Sequence, residues 1–334
     1  MPFVIPYFIP HQGCPHHCLF CDQRAIIGTF SERNRTVEEI GATIEQWLSY
    51  RRAPVKAQVA FYGGSFTCLD EQLQAVMLEA VSPWIAAGEV SGIRLSTRPD
   101  CIDRRCCDML RHYGVETVEL GVQSLDNRVL AAARRGHTVE DCETAMRLLG
   151  GNGFRLGIQL MPGLPLEDRA SFRRTVKKAI TMEPSFVRLY PTVVVKGSGL
   201  AEMYESGGYR PLSLDMAVIL TAWARKIFTG AGIDVVRMGL QHSASLEKSI
   251  LTGPYHSAFG ELVLARQWFG RIQRLLSRYP GRTLQLRIST KDRSAFYGVK
   301  NSNRERWRTR GLEKRMKVVF DNTLERGRVK YVVC

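Results

Sequence analysis

No stretch of the 334 residues reaches the ~18 consecutive uncharged apolar positions of a membrane-crossing helix, so no membrane association is expected. There is no low-complexity tract and no internal repeat, and a composition of 45% apolar and 24% charged residues excludes a disordered or fibrous chain. The apolar opening, MPFVIPYFIP, has no basic segment ahead of it and no small-residue cleavage site behind it, and prolines interrupt it. That pattern argues against a secretory leader and for a buried strand starting almost at Met1. The one G-x-G after a strand, Gly197 and Gly199, lacks the third glycine that a dinucleotide fold needs. Nine cysteines, an odd count without a secretion signal, argue against a disulfide framework and for reduced thiols in the cytoplasm. Acidic residues are scarce in one place. From Arg266 to Cys334 there are 5 Asp and Glu against 19 Lys and Arg, whereas the first 265 residues hold 27 against 28. A near-neutral body with a basic appendix points to an anionic partner, nucleic acid above all.

Short strand-like runs alternate with helical patterns. After FVIPYFI come VAFYGG (59–64), IRLST (93–97), VETVELGVQS (115–124), FRLGIQLMPG (154–163) and SFVRLYPTV (185–193), with helical periodicity between them. Near-continuous apolar strands separated by helices predict a parallel sheet buried on both faces. Six such units suit an incomplete barrel, a partial (β/α)6 TIM-like arrangement over residues 1–232. After residue 233 the rhythm changes. A helix near 260–278 and the pieces TLQLRIS, KVVFDN and RVKYVV, the last two joined as a hairpin through TLERG, predict a small basic α+β domain over 233–334.

The segment HQGCPHHCLFCDQ (11–23) concentrates the chemistry, with Cys14, Cys18 and Cys21 spaced C-x3-C-x2-C. A structural zinc site closes with four ligands, and His16 or His17 could supply the fourth, but no second C-x2-C or H-x3-H lies near. Three buried unligated thiols are hard to sustain at this density beside Pro15 and two histidines, and a disulfide would leave one cysteine over. The remaining option is an iron–sulfur cluster, in which three thiolates leave one iron with an open position.

C-x3-C-x2-C with Phe20 just before the last cysteine resembles the radical S-adenosylmethionine (SAM) superfamily. The resemblance implies a 4Fe-4S cluster on Cys14, Cys18 and Cys21, with SAM on the open iron and its sulfonium cleaved to a 5′-deoxyadenosyl radical. It also implies that the strand ends hold SAM. Gly63-Gly64-Ser65 resembles the double-glycine motif that meets the methionine amino group, and Ser96 stands where related enzymes carry an acidic ribose ligand. Gln123 and Arg135 match a glutamine–arginine pair of the coproporphyrinogen-oxidase branch, the arginine facing the methionine carboxylate, and Gln159 stands at a polar adenosine or ribose contact. STRPD (96–100), ELGVQSLDNRVL with RRGHT (119–138), MPGLP (161–165) and LYPTVVVKGSGL (189–200) resemble the radical-SAM portion of the Elongator catalytic subunit and its shorter bacterial relatives. That resemblance runs from about residue 9 to residue 210 and implies a tRNA substrate and an electron donor such as flavodoxin or ferredoxin. The acetyltransferase domain of that subunit has no counterpart before Cys334, so the complete acetyl-derived modification is not expected of this chain alone.

In the tail, WRTRGLEKRMK (307–317) with Trp307, Phe296 and Tyr297 suits a nucleic-acid surface of phosphate contacts and stacking. Cys101, Cys106 and Cys107 are expected to be ordinary thiols, and His242 and His256 are candidates for the substrate end of the barrel. The favoured reading is a cytoplasmic radical-SAM enzyme acting on RNA, tRNA first. A radical-SAM enzyme acting on a small acidic molecule such as a tetrapyrrole carboxylate, or a non-catalytic iron–sulfur RNA-binding protein, are the alternatives.

Overall fold

The computed structural model describes residues 3–9, 13–22, 37–52 and 55–334. By its own contacts the chain divides into two units, Met1–Ser213 with Ile227–Tyr255, and Leu214–Lys226 with His256–Cys334.

The first unit is built on β1 (Phe3–Phe8), β2 (Ala57–Tyr62), β3 (Val90–Thr97), β4 (Val115–Gln123), β5 (Arg155–Leu160), β6 (Phe186–Leu189), β7 (Val194–Val195), β8 (Asp234–Met238) and β9 (Ile250–Thr252). Seven of these form one sheet in the order β1-β2-β3-β4-β5-β6-β8, every neighbouring pair parallel. β1 and β8 are its two edges, so the barrel is open, while β7 and β9 pair antiparallel beside it. The six expected strands are all present. The seventh, β8, follows the expected domain boundary at 232/233, because DVVRM is short, half-buried and carries an arginine, which leaves little periodicity to read. Parallel neighbours require crossover helices. Their starts are fixed by side-chain caps, as in the Thr138/Asp141 box of Val139–Gly151 and the Asp168/Ser171 box of Arg169–Thr181.

The second unit holds β10 (Leu284–Ser289), β11 (Met316–Asp321) and β12 (Val329–Val333). Here two expectations are corrected. The expected β11–β12 hairpin is split: β10 lies between the two, parallel to β11 and antiparallel to β12. β10 brings the most buried residues of the three, Leu284, Leu286 and Ile288, and these take the centre of the sheet against Trp268, Ile272 and Leu276 of the helix Phe259–Arg278. The connecting loop crosses the end of β10 and is anchored by Asp292, whose carboxylate accepts from the Gly327 amide and pairs with Arg326. The second correction concerns the aromatics. Trp307 and Phe296 are fully buried, packed on each other and on Phe269, so they are core residues and not stacking platforms for bases. Of the neighbouring arginines, Arg304 pairs with Glu313 and Arg308 with Glu305, and Arg306 and Arg310 lie over the Phe269 ring. This unit still carries 21 Lys and Arg against 7 Asp and Glu.

Candidate active site

The carboxyl ends of β2, β3, β4 and β5 and the cysteine segment surround a cavity of about 260 Å3. Its wall contains Cys14, Cys18, Cys21, Phe20, Gly63, Gly64, Ser65, Ser96, Gln123, Arg135 and Gln159, so all eleven residues singled out in the sequence meet in one place. His16, His17, Thr97, Arg98 and Gly121 complete it.

The cysteine segment is held from two sides. Gly13 adopts φ +71°, and a Cβ there would lie 2.3 Å from the Ser65 carbonyl oxygen, so only glycine lets the segment close on the turn after β2. Cys14 Sγ then stands 3.4 Å from Ser65 Oγ. On the other side Leu19 is buried among Val194, Leu200 and Tyr209, while its amide donates to Ala133 and its carbonyl accepts from Leu200. A turn closed from the Cys21 amide to the Cys18 carbonyl completes the segment.

Arg135 comes in on the turn after the helix Asn127–Ala132, between Arg134 and Gly136, both at positive φ. It is 6% exposed, donates to the Gly121 carbonyl at 2.7 Å and to Cys18 Sγ at 3.1 Å, and lies over Phe20 at 5.9 Å. A Cβ on Gly121 would sit 3.3 Å from the same guanidinium, so the strand gives up a side chain to admit it. Gln123 ends β4 at φ +64°, a left-handed conformation that a non-glycine residue adopts at a cost, and it falls at a register shift between β4 and β5. Gln123 Oε1 and Arg135 Nε are both buried without a partner. Such atoms are normally satisfied, so they mark where a polar ligand fits.

Arg98 was not singled out in the sequence. It is 3% exposed, forks onto Asp100 with two bonds of 2.9 Å, reaches to 3.9 Å from Cys18 Sγ and donates to the Arg135 carbonyl. Asp100 in turn stands 3.8 Å from His16. Beneath them His137 donates from Nε2 to the Val122 carbonyl, and burial followed by the charges of Arg135 and Arg98 pushes its imidazole down to about 4. It is therefore neutral at physiological pH.

The donor set fits a cluster. Burial, then Cys18 and Cys14, pushes the Cys21 thiol up to about 12, so three thiolates here call for a cationic centre. One tetrahedral zinc would need all three thiolates and a fourth ligand on a single ion. A four-iron cluster instead takes each thiolate on its own iron.

The expectation of reduced thiols is corrected at two positions. Cys68 and Cys101 form a disulfide with Cα atoms 5.3 Å apart, while Cys106 and Cys107 are free. The two partners are 33 residues apart, brought together by the turns that follow the adjacent strands β2 and β3. His242 Nδ1 lies 2.8 Å from the Tyr255 hydroxyl, and His256 accepts from the Ala258 amide in the second unit.

The barrel interior also carries a charge network that strand periodicity concealed. Glu119, 1% exposed, is shared by Arg94 at 2.8 Å and by Arg188, which donates from Nε and, at 2.9 Å, from Nη2, while the Tyr62 hydroxyl donates to it at 3.0 Å.

A profile of the Radical SAM superfamily matches residues 8–179, and one of the Radical_SAM C-terminal domain matches residues 184–268. The chain belongs to the radical SAM superfamily. As a radical SAM enzyme it is 34% identical to the tRNA uridine(34) acetyltransferase of Methanocaldococcus jannaschii over 67% of its own length and 48% of that protein. It is 29% identical to Elongator complex protein 3 of Drosophila melanogaster over 60% of its length and 42% of that protein. The chain thus spans about half the length of these relatives. The archaeal Elp3 of Methanocaldococcus infernus, solved with an N-terminal deletion, superposes with a TM-score of 0.61 at 22% identity, covering 83% of this chain and 62% of that one. The seven parallel strands are accordingly the partial TIM-like barrel of this superfamily, followed by an additional C-terminal domain. No helix among the described residues is long and apolar enough to cross a membrane.

Proposed function

We propose that this radical SAM enzyme binds a 4Fe-4S cluster through Cys14, Cys18 and Cys21, cleaves SAM, and acts on tRNA in the cytoplasm with an electron donor such as flavodoxin or ferredoxin. The observation that carries the reading is the meeting of three thiols with Gly63-Gly64, Gln123 and Arg135 around one cavity. The bound cofactors supply one-electron cleavage of a sulfonium to a carbon radical, and the chain supplies orientation and exclusion of water. Arg135 offers a planar fork to the methionine carboxylate, Gly63 and Gly64 leave backbone bare for its amino group, and Ser96, Gln123 and Gln159 offer polar contacts to the adenosine. Phe20 lies under the Arg135 guanidinium, where its ring would help to exclude water from the site. Arg98, hydrogen-bonded to Asp100, places a second fixed cation beside Cys18.

The tRNA part of the reading is supported by relatives named for tRNA uridine modification and by the positive excess of the C-terminal unit. In anaerobic turnover the reduced protein is expected to convert SAM to 5′-deoxyadenosine, and tRNA from cells lacking the gene is expected to lose a modified uridine in mass spectra. Arg135→Ala should weaken SAM binding by about 1.5–3 kcal/mol at normal iron content, whereas Arg134→Ala, outside the cavity, should not. Turnover that requires a small acidic metabolite, with unchanged tRNA spectra, would move the assignment to that substrate class.

A further inference from the structure

The disulfide between Cys68 and Cys101 joins the two turns that carry one wall of the cofactor cavity. On the first turn the Ser65 carbonyl accepts from the Cys68 amide at 3.0 Å, and the Ser65 hydroxyl lies 3.4 Å from Cys14 Sγ. On the second the Arg98 carbonyl accepts from the Cys101 amide at 3.4 Å, and the Arg98 guanidinium forks onto Asp100 and reaches toward Cys18. The bond therefore fixes the spacing between a residue beside Cys14 and one beside Cys18. The hydroxyls of Thr67 and Thr97, 2.6 Å apart, tie the same turns independently, so opening the disulfide loosens them without parting them.

The bond also lies within reach of a reductant. Both of its cysteines are half-buried, and a second cavity of about 320 Å3 has Cys101 and the free Cys106 in its wall. Cys106 is not the attacking group. Burial, then Cys107 and Asp103, pushes its thiol up to about 12, so almost none of it is thiolate at neutral pH. The nucleophile must come from outside the chain. In a protein proposed to work in the cytoplasm, where thiols are kept reduced, a disulfide is characteristically transient or redox-sensing.

We propose that Cys68 and Cys101 form a thiol–disulfide exchange site that a small dithiol opens through the second cavity, and that the closed bond holds the cofactor cavity in its SAM-binding shape. One thiolate of the dithiol attacks Cys101 Sγ, forming a mixed disulfide and releasing Cys68 as the leaving thiolate. The second thiol then displaces Cys101 and closes the reductant's own disulfide. Two electrons pass to the protein, and the two thiol protons of the reductant end on Cys68 and Cys101. The inference rests on the proposed function for its compartment and for naming SAM as the ligand.

Full-length protein isolated anaerobically, equilibrated across ratios of reduced to oxidised dithiothreitol, quenched with N-ethylmaleimide and mapped by mass spectrometry, tests this. Cys68 and Cys101 are expected to pass from bonded to alkylated together and reversibly. Reduction is expected to speed amide hydrogen exchange in residues 63–70 and 96–103. It should also weaken SAM binding by at least about threefold, the size of one displaced hydrogen bond. Cys68→Ser, which cannot close the bond, should bind SAM like the reduced parent at every dithiol ratio. Paired conversion with faster exchange but no SAM binding by either form keeps the exchange site and rejects SAM as the ligand. Thiols that alkylate at every ratio, or a bond that dithiothreitol never opens, overturn the proposal. Hydrogen exchange and SAM binding that are equal in the two states overturn it as well.

Discussion

Replacing Cys14, Cys18 or Cys21 by alanine, one at a time, is expected to abolish 5′-deoxyadenosine formation completely and to strip most iron and sulfide from anaerobically purified protein. Each thiol holds its own iron in a three-cysteine site, so losing one leaves no partial substitute. His16 and His17 also line the cavity, yet His16 faces Asp100 and both are exposed, whereas the three thiols are half-buried, so neither histidine is placed to replace one. Cys142→Ala provides the contrast: that thiol is fully buried outside the cavity wall, and its loss should leave iron content unchanged. Iron and sulfide can be assayed chemically, and turnover by chromatography of the nucleoside. One stoichiometric zinc in the parent, with no sulfide and no SAM cleavage, would refute the cluster assignment.

That the three thiols belong on one cavity wall was legible because they lie within eight consecutive residues, Cys14 to Cys21. Gly63-Gly64 and Arg135 were legible because each sits in a short local pattern at the end of a strand or turn. What was not legible depends on neighbours distant in sequence. Cys68 and Cys101 looked like unrelated thiols until parallel pairing of β2 and β3 brought the turns after them together. Trp307 and Phe296 lie among arginines in the sequence, which suggested an open basic surface. The arginines instead point outward from a turn of helix whose other side fills a core with Trp268, Phe269 and Ile288. Arg94, Glu119 and Arg188 each interrupt a strand that otherwise reads as apolar. Taken one at a time, such a residue looks like a solvated charge. Only the curvature of the sheet turns all three inward, where they neutralise one another in part.

That interior network sets the second large expectation, which concerns stability. Glu119→Gln keeps the volume and hydrogen-bonding shape of the side chain but removes its charge, leaving Arg94 at 8% and Arg188 at 17% side-chain exposure with no carboxylate between them. Removing one partner of a buried ion pair costs about 3–5 kcal/mol, because the charge left behind has lost its hydration as well as its counter-ion. Two guanidiniums share the carboxylate here, so the upper part of that range is expected. Tyr62 donates to the same carboxylate, and burial, then the negative charge of Glu119, raises its phenol well above the ordinary value in the parent. The surface pair Lys178–Glu143, with both side chains about 40% exposed, is the control, and Glu143→Gln should cost less than about 1 kcal/mol. Urea titration followed by fluorescence and by circular dichroism, the two probes guarding against separate melting of the two units, measures both. Arg188→Met combined with Glu119→Gln should then cost less than Glu119→Gln alone, since the double change removes one of the stranded charges. A loss from Glu119→Gln no larger than that of Glu143→Gln would mean that water reaches the barrel interior and that the three side chains are not desolvated together.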